Sequence, residues 1–169
     1  MNEIIIRHVL PQDLDECFTV ETSGFPPEEA ATRETIQLRI ARFPGGFLVA
    51  ERDGRIVGIL NSAATDKDDL SDEELKQLVG HDPAGRNLVV FALAVLPEYQ
   101  KQGIARQLMS RFAEEARQRG KENILLMCKQ HLIHYYERMG FEHVGLAKST
   151  HGGAEWHEMR LRGNSMTKP

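Results

Sequence analysis

Between Gln100 and Arg106 the chain reads Gln-Lys-Gln-Gly-Ile-Ala-Arg, residue types that together suit a phosphate group. Gly103 has no Cβ, so a pyrophosphate can approach its backbone closely, and Ala105 keeps the space beyond it small. Lys101 and Arg106 add positive charge, and Gln100, Gln102 and Ile104 complete the stretch. A helix that starts here presents N–H groups with no partner inside the helix, and these carry partial positive charge toward an anion. Other residues have fewer neighbours to work with. His131 and His134 stand three apart and could share a helix face, but no third ligand follows at a spacing that would complete a metal site. Cys17 and Cys128 lie far apart, and neither has the histidine context of a nucleophile. Both read as reduced and buried.

Position decides what the Gly103 turn is worth. Leu88–Leu96 is an almost unbroken apolar run, the pattern of a strand buried on both faces. Pro97 stops it. After the turn, apolar residues at 104, 105, 108, 109, 112, 113 and 116 give one helical stripe. Gly120 ends that helix. Asn123–Cys128 reads as a second buried strand, so the two strands and their helix predict a parallel pair joined by a right-handed crossover.

The rest of the chain supplies support. Glu3–Val9 reads as a strand and Asp13–Val20 as a short helix broken at Gly24-Phe25-Pro26-Pro27. Glu28 and Glu29 after Pro27 predict a second helix starting there and running to Ala41. Phe47–Glu51 and Ile56–Ala63 are strands about an Asp53-Gly54 hairpin turn. Residues 65–85 are polar and acidic, with a short helix around Leu75 and Leu78; such a length is either functional or a solvated excursion. Leu132–Met139 is a short helix capped by Gly140. Glu142–Ala147 and Glu155–Leu161 form a last antiparallel pair. Residues 1–162 read as a single domain and 163–169 as a frayed tail.

A chain of 169 residues with 41% hydrophobic and 27% charged side chains is a soluble globular protein by composition. Its net charge of −4 and lack of a basic face argue against nucleic acid. The N-terminal apolar run is too short for a signal peptide, and none approaches a membrane span. A cytoplasmic protein is expected.

In this setting Q-x-x-G-x-A resembles motif A of the GNAT acetyltransferases, which grips the pyrophosphate of acetyl-CoA. Ala92-Leu93-Ala94-Val95 looks like the end of that family's fourth strand. Leu125-Leu126-Met127-Cys128 and Tyr136-Glu137-Arg138-Met139-Gly140-Phe141 look like its motif B. The arylalkylamine (serotonin) N-acetyltransferase branch is most similar. The resemblance, over about residues 3–162, implies an α/β fold: a mixed, mostly antiparallel sheet with a splayed central parallel pair and helices on both faces. It implies acetyl-CoA as cosubstrate, no metal, a small primary amine as acceptor, and a homodimer as the family's habit.

The resemblance also implies roles. Backbone groups of Leu93, Ala94 and Val95 would pair with the pantetheine amides. Tyr136 would be the general acid for the departing thiolate, a proton transfer its phenol can perform; a core tyrosine with a bonded hydroxyl is the plainer alternative. Phe25, Pro26, Phe91 and Met127 match positions that line the amine pocket, or else are core. The general base departs from the pattern. Two histidines precede the matching strand segment in the animal enzymes, and here those positions are Val89 and Phe91. Glu21, the acidic stretch, His131 and His134 are left as candidates, beside a water wire. Acetylation of a protein N-terminus or lysine and a silent acyl-CoA-binding module are the rival readings.

Overall fold

A computed structural model of the chain describes residues 3–68, 70 and 73–166. Asp69 and Asp72 of the acidic stretch and residues 167–169 of the expected tail lie outside the described residues. Seven strands are present among the described residues: β1 (Ile5–His8), β2 (Phe47–Arg52), β3 (Arg55–Thr65), β4 (Asn87–Val95), β5 (Asn123–Cys128), β6 (Glu142–Leu146) and β7 (His157–Arg162). The helices are α1 (Leu14–Gly24), α2 (Arg33–Arg42), α3 (Ile104–Gln118) and α4 (Ile133–Glu137). The strands form one mixed sheet in the order β1-β2-β3-β4-β5-β7-β6. β4 and β5 run parallel, while β1–β2, β2–β3, β5–β7 and β6–β7 are antiparallel. This is the mixed, mostly antiparallel α/β architecture expected.

The chain divides into two compact units. The first holds residues up to Ser62 together with Ala92–Phe112; the second holds Ala63–Phe91 and the residues from Ala113 onward.

In the first unit, β2 and β3 are joined at Asp53 (φ 54°) and Gly54 (φ 77°). Two consecutive left-handed residues make the tight hairpin turn that Asp-Gly favours. β2 and β3 supply much of the core through Phe47, Leu48, Val49, Ile59 and Leu60, each about 1% exposed or less. Arg7 of β1 grips Asp13 through two guanidinium nitrogens at 2.8 and 3.1 Å, and Asp13 also accepts the Leu10 N–H at 2.7 Å. That junction fixes where α1 begins.

The second helix differs from expectation. Residues after Pro27 make a turn, with the Glu29 and Ala30 N–H groups both on Pro26 O at 2.9 Å. α2 starts at Arg33, where Thr32 Oγ1 accepts the Thr35 N–H at 3.1 Å. A threonine N-cap satisfies a donor that the acidic pair cannot reach from outside the helix. Ala31 is held out of the helix as well, because its N–H is bonded to the Glu21 side chain at 2.8 Å.

In the second unit, β4 and β5 pair from Asn87↔Asn123 to Val90↔Leu126. The parallel register ends there, and β4 runs on to Val95. The acidic stretch is anchored rather than wholly solvated: Leu70, Leu75 and Leu78 are buried, and Glu73 holds His151 Nδ1 at 3.0 Å. Lys121, itself buried, donates to the carbonyls of Pro83 at 2.7 Å and Gly85 at 2.5 Å. Leu132–Met139 resolves into a 3-10 turn, Gln130–Leu132, followed by α4. Past β7 the chain makes another such turn, Gly163–Ser165, and Met166 is buried.

Candidate functional site

All the residues matched to donor binding lie in the first unit. β4 ends at Val95, and the Leu96 N–H bonds Val57 O at 2.8 Å. A 3-10 turn, Pro97–Tyr99, carries the chain round. Lys101 (φ 64°) and Gly103 (φ 82°) both take left-handed backbone, which reverses the chain into α3. A Cβ placed on Gly103 would meet nothing within 4 Å, so the space before the start of α3 is open. The first helical hydrogen bond to this turn comes from the Gln107 N–H to Gly103 O at 3.0 Å. The turn's two glutamines face the protein. Gln100 Nε2 donates to Val95 O at 3.0 Å, and Gln102 Oε1 accepts from Arg52 at 2.6 Å. They brace the turn, while Lys101 and Arg106 are exposed. Ile104 is buried at the root of α3 with Leu108, Met109 and Phe112.

Along β4 burial alternates at its C-terminal end. Phe91 and Leu93 are half-buried between the buried Val90, Ala92 and Ala94. Strand geometry places Val89, Phe91, Leu93 and Val95 on one face. The positions without histidine therefore share a face with part of the segment expected to meet the donor.

Phe25 and Pro26 follow α1 in the first unit. Phe25 is half-buried and lines a cavity of about 370 Å³ with Phe18, Thr22, Pro27, Ala30 and Ala31. Pro26 is exposed. Phe91 and Met127, in the second unit, are half-buried. None of the four is fully buried.

Tyr136 lies on α4 in the second unit and is 8% exposed. Its ring meets Tyr135 and Phe141 edge-on, at centroid distances of 5.2 and 5.8 Å. No hydrogen bond to its hydroxyl exists among the described residues. Burial, helped by Tyr135 and Cys128, raises the phenol above its ordinary value, so it holds its proton. An unbonded, protonated phenol is equipped to donate. Cys128 is free and buried, its thiol pushed up to about 11 by burial, which leaves little thiolate for nucleophilic work. His131 is exposed, and His134 is exposed and bonded to Glu137 at 2.8 Å. No group of metal-binding side chains occurs among the described residues.

Two features went beyond the sequence reading, which named Glu21 as a candidate base but not its burial. Glu21 and Arg39 are buried, each 3% exposed, and Arg39 Nη1 donates to Asn61 Oδ1 at 3.1 Å. Their signal was available: Glu21 falls on the stripe of Leu14, Cys17 and Val20, and Arg39 on that of Thr35, Ile36 and Ile40. A charged residue on a buried stripe is itself an observation. The second feature joins Glu73 to Ser149 and His151, contacts spanning residues too distant for any spacing rule.

A model of the acetyltransferase (GNAT) family matches residues 9–141. The serotonin N-acetyltransferase of Mesocricetus auratus is 27% identical over 158 residues, covering 91% of this chain and 75% of that protein. Among the first curated relatives the share of their own length that is matched runs from 26% to 75%, so the chain spans only a part of several of them. The loading GNATL domain of CurA from Lyngbya majuscula superimposes with a TM-score of 0.84 at 19% identity, over 96% of this chain and 98% of that one. The yncA protein of Salmonella typhimurium, solved with its cofactor acetyl-CoA, gives 0.69 at 18%, over 99% and 98%.

Proposed function

The chain belongs to the acetyltransferase (GNAT) family, and from that premise we propose that it transfers acetyl from acetyl-CoA to a primary amine by direct attack. The observation that carries this reading is the turn of the first unit. A left-handed Gly103 with open space above it precedes the N-terminus of a long helix, directly after the end of β4. Helix N–H groups there would hold the pyrophosphate, with Lys101 and Arg106 lending charge. Backbone groups of Leu93, Ala94 and Val95 would take the pantetheine arm. The amine attacks the thioester carbonyl, the C–S bond breaks, and Tyr136 gives its proton to sulfur.

The likeness to the hamster serotonin N-acetyltransferase supports a small, arylalkylamine-like acceptor. Phe25, half-buried in the wall of the first unit's cavity, suits such a ligand. Release of free CoA thiol from acetyl-CoA, measured against a panel of arylalkylamines, simple alkylamines and peptides, tests the reading. Turnover with small arylalkylamines is expected. Turnover with peptides alone would move the acceptor to a protein chain. Binding of acetyl-CoA without turnover on any member would leave an acyl-CoA-binding module.

A further inference from the structure

The transfer reading leaves one chemical need unmet, a group to take the proton from the incoming ammonium. Glu21 is a carboxylate on the buried face of α1, 3% exposed. Its Oε2 accepts the Ala31 N–H at 2.8 Å, and its Oε1 is buried with no hydrogen-bond partner. A buried carboxylate oxygen left unbonded is costly, so its presence calls for an explanation. Its location is informative. Gly24 lies three residues further along α1, on the same face of the helix. A Cβ on Gly24 would come within 2.9 Å of the Ala94 Cβ, so this face of α1 packs against β4 at the segment expected to receive the donor. The loop bonded to Glu21 through Ala31 is also the one that carries Phe25 and Pro26.

We propose that Glu21 is the general base of the transfer, its free carboxylate oxygen taking the proton from the acceptor's ammonium. The proposal rests on the transfer reading above. Glu21 removes one proton, the neutral nitrogen forms its bond to the carbonyl carbon, and the C–S electron pair leaves on sulfur. Two protons leave the nitrogen in all. One passes through Glu21 to water, and the other restores the proton that Tyr136 gives to the thiolate. The groups around Glu21 fit the role. Burial raises its proton affinity, while the Ala31 N–H and the Arg39 guanidinium on α2 act the other way. The Cys17 thiol, on α1 itself, is raised by burial and stays neutral. Asn61 of β3 holds Arg39 and carries no charge.

The test is Glu21→Gln, which keeps shape and can still accept from Ala31. With an ordinary alkylamine near pH 7, kcat/KM should fall about a hundredfold to ten-thousandfold. Calorimetric affinity for acetyl-CoA should be unchanged. With a weakly basic amine such as trifluoroethylamine, which arrives unprotonated, the defect should shrink toward none. Wild-type turnover in the variant, or an equal loss with strongly and weakly basic amines, overturns the assignment while leaving the transfer reading standing. A wild-type chain that transfers to no amine overturns both. Should the glutamine variant not fold, Glu21→Asp, which keeps the charge and withdraws it by one methylene, is held to the same two criteria.

Discussion

Tyr136 and Glu21 are both buried and both lack a hydrogen bond where one is expected, but they differ in charge, and so in what substitution should do. Tyr136→Phe removes a hydroxyl that bonds nothing among the described residues and keeps the ring contacts to Tyr135 and Phe141. Thermal stability should therefore change by less than about 0.5 kcal/mol, since no hydrogen bond is lost. Turnover should fall about a hundredfold or more, and a donor with a more acidic thiol should narrow the gap. A large stability loss with normal turnover would make the residue structural. For Glu21 the sign runs through its raised pKa. The fold favours the protonated form, so the stability that protonation gives is complete below the ordinary value of about 4.3 and is lost as pH rises through the raised one. Melting curves should show Glu21→Gln gaining in stability relative to wild type as pH rises from acid through the raised value. Neither property is visible in a residue letter. The sequence pointed to Tyr136 through its neighbours, but the state of its hydroxyl depends on packing from other elements.

At the scale of elements, the strand–turn–helix of β4 and α3 was legible almost residue by residue. Its signals are local: an apolar run, a proline, a glycine, and a stripe at helical spacing. Asn123–Cys128 was read to the residue for the same reason. The start of α2 was misread because a side chain from another helix, Glu21, takes the Ala31 N–H and lets Thr32 become the cap. Local propensity cannot include such a partner. The Gly103 turn yields a graded prediction. An alanine there clashes with nothing, so its cost is the left-handed backbone, about 1 kcal/mol. Gly103→Glu pays the same strain but gains part of it back, about 0.3–1 kcal/mol, from a negative charge at a helix N-terminus. Both variants should fold. Titration calorimetry should show acetyl-CoA binding weakened in the alanine variant and lost in the glutamate variant, where a carboxylate meets the pyrophosphate. Undiminished affinity in a folded Gly103→Glu protein would remove the donor site from this turn.

For the whole molecule, the resemblance implied a mixed, mostly antiparallel α/β fold, and the seven-stranded sheet agrees. The acceptor was not legible, because the apolar side chains proposed to bind it, Phe25 among them, name no particular amine. The donor can be tested globally. A ligand at a hundred times its dissociation constant adds about 2.7 kcal/mol of stability. In a chain of this size that is a rise in melting temperature of roughly 5–10 °C. Acetyl-CoA should produce it, and a flat response at saturating concentration would exclude tight donor binding. Handling a thioester also exposes a protein to its reactivity, because activated acyl groups attack unprotonated amines without any catalyst. Lys101, exposed in the turn, has no shelter from this. Lys121 does: its burial lowers its proton affinity, which would make a free amine there the better nucleophile, but the nitrogen is enclosed and committed to the carbonyls of Pro83 and Gly85. Acylation at Lys121 would therefore record that a molecule had at some time come open, a chemical trace of past unfolding written by the chain's own cosubstrate.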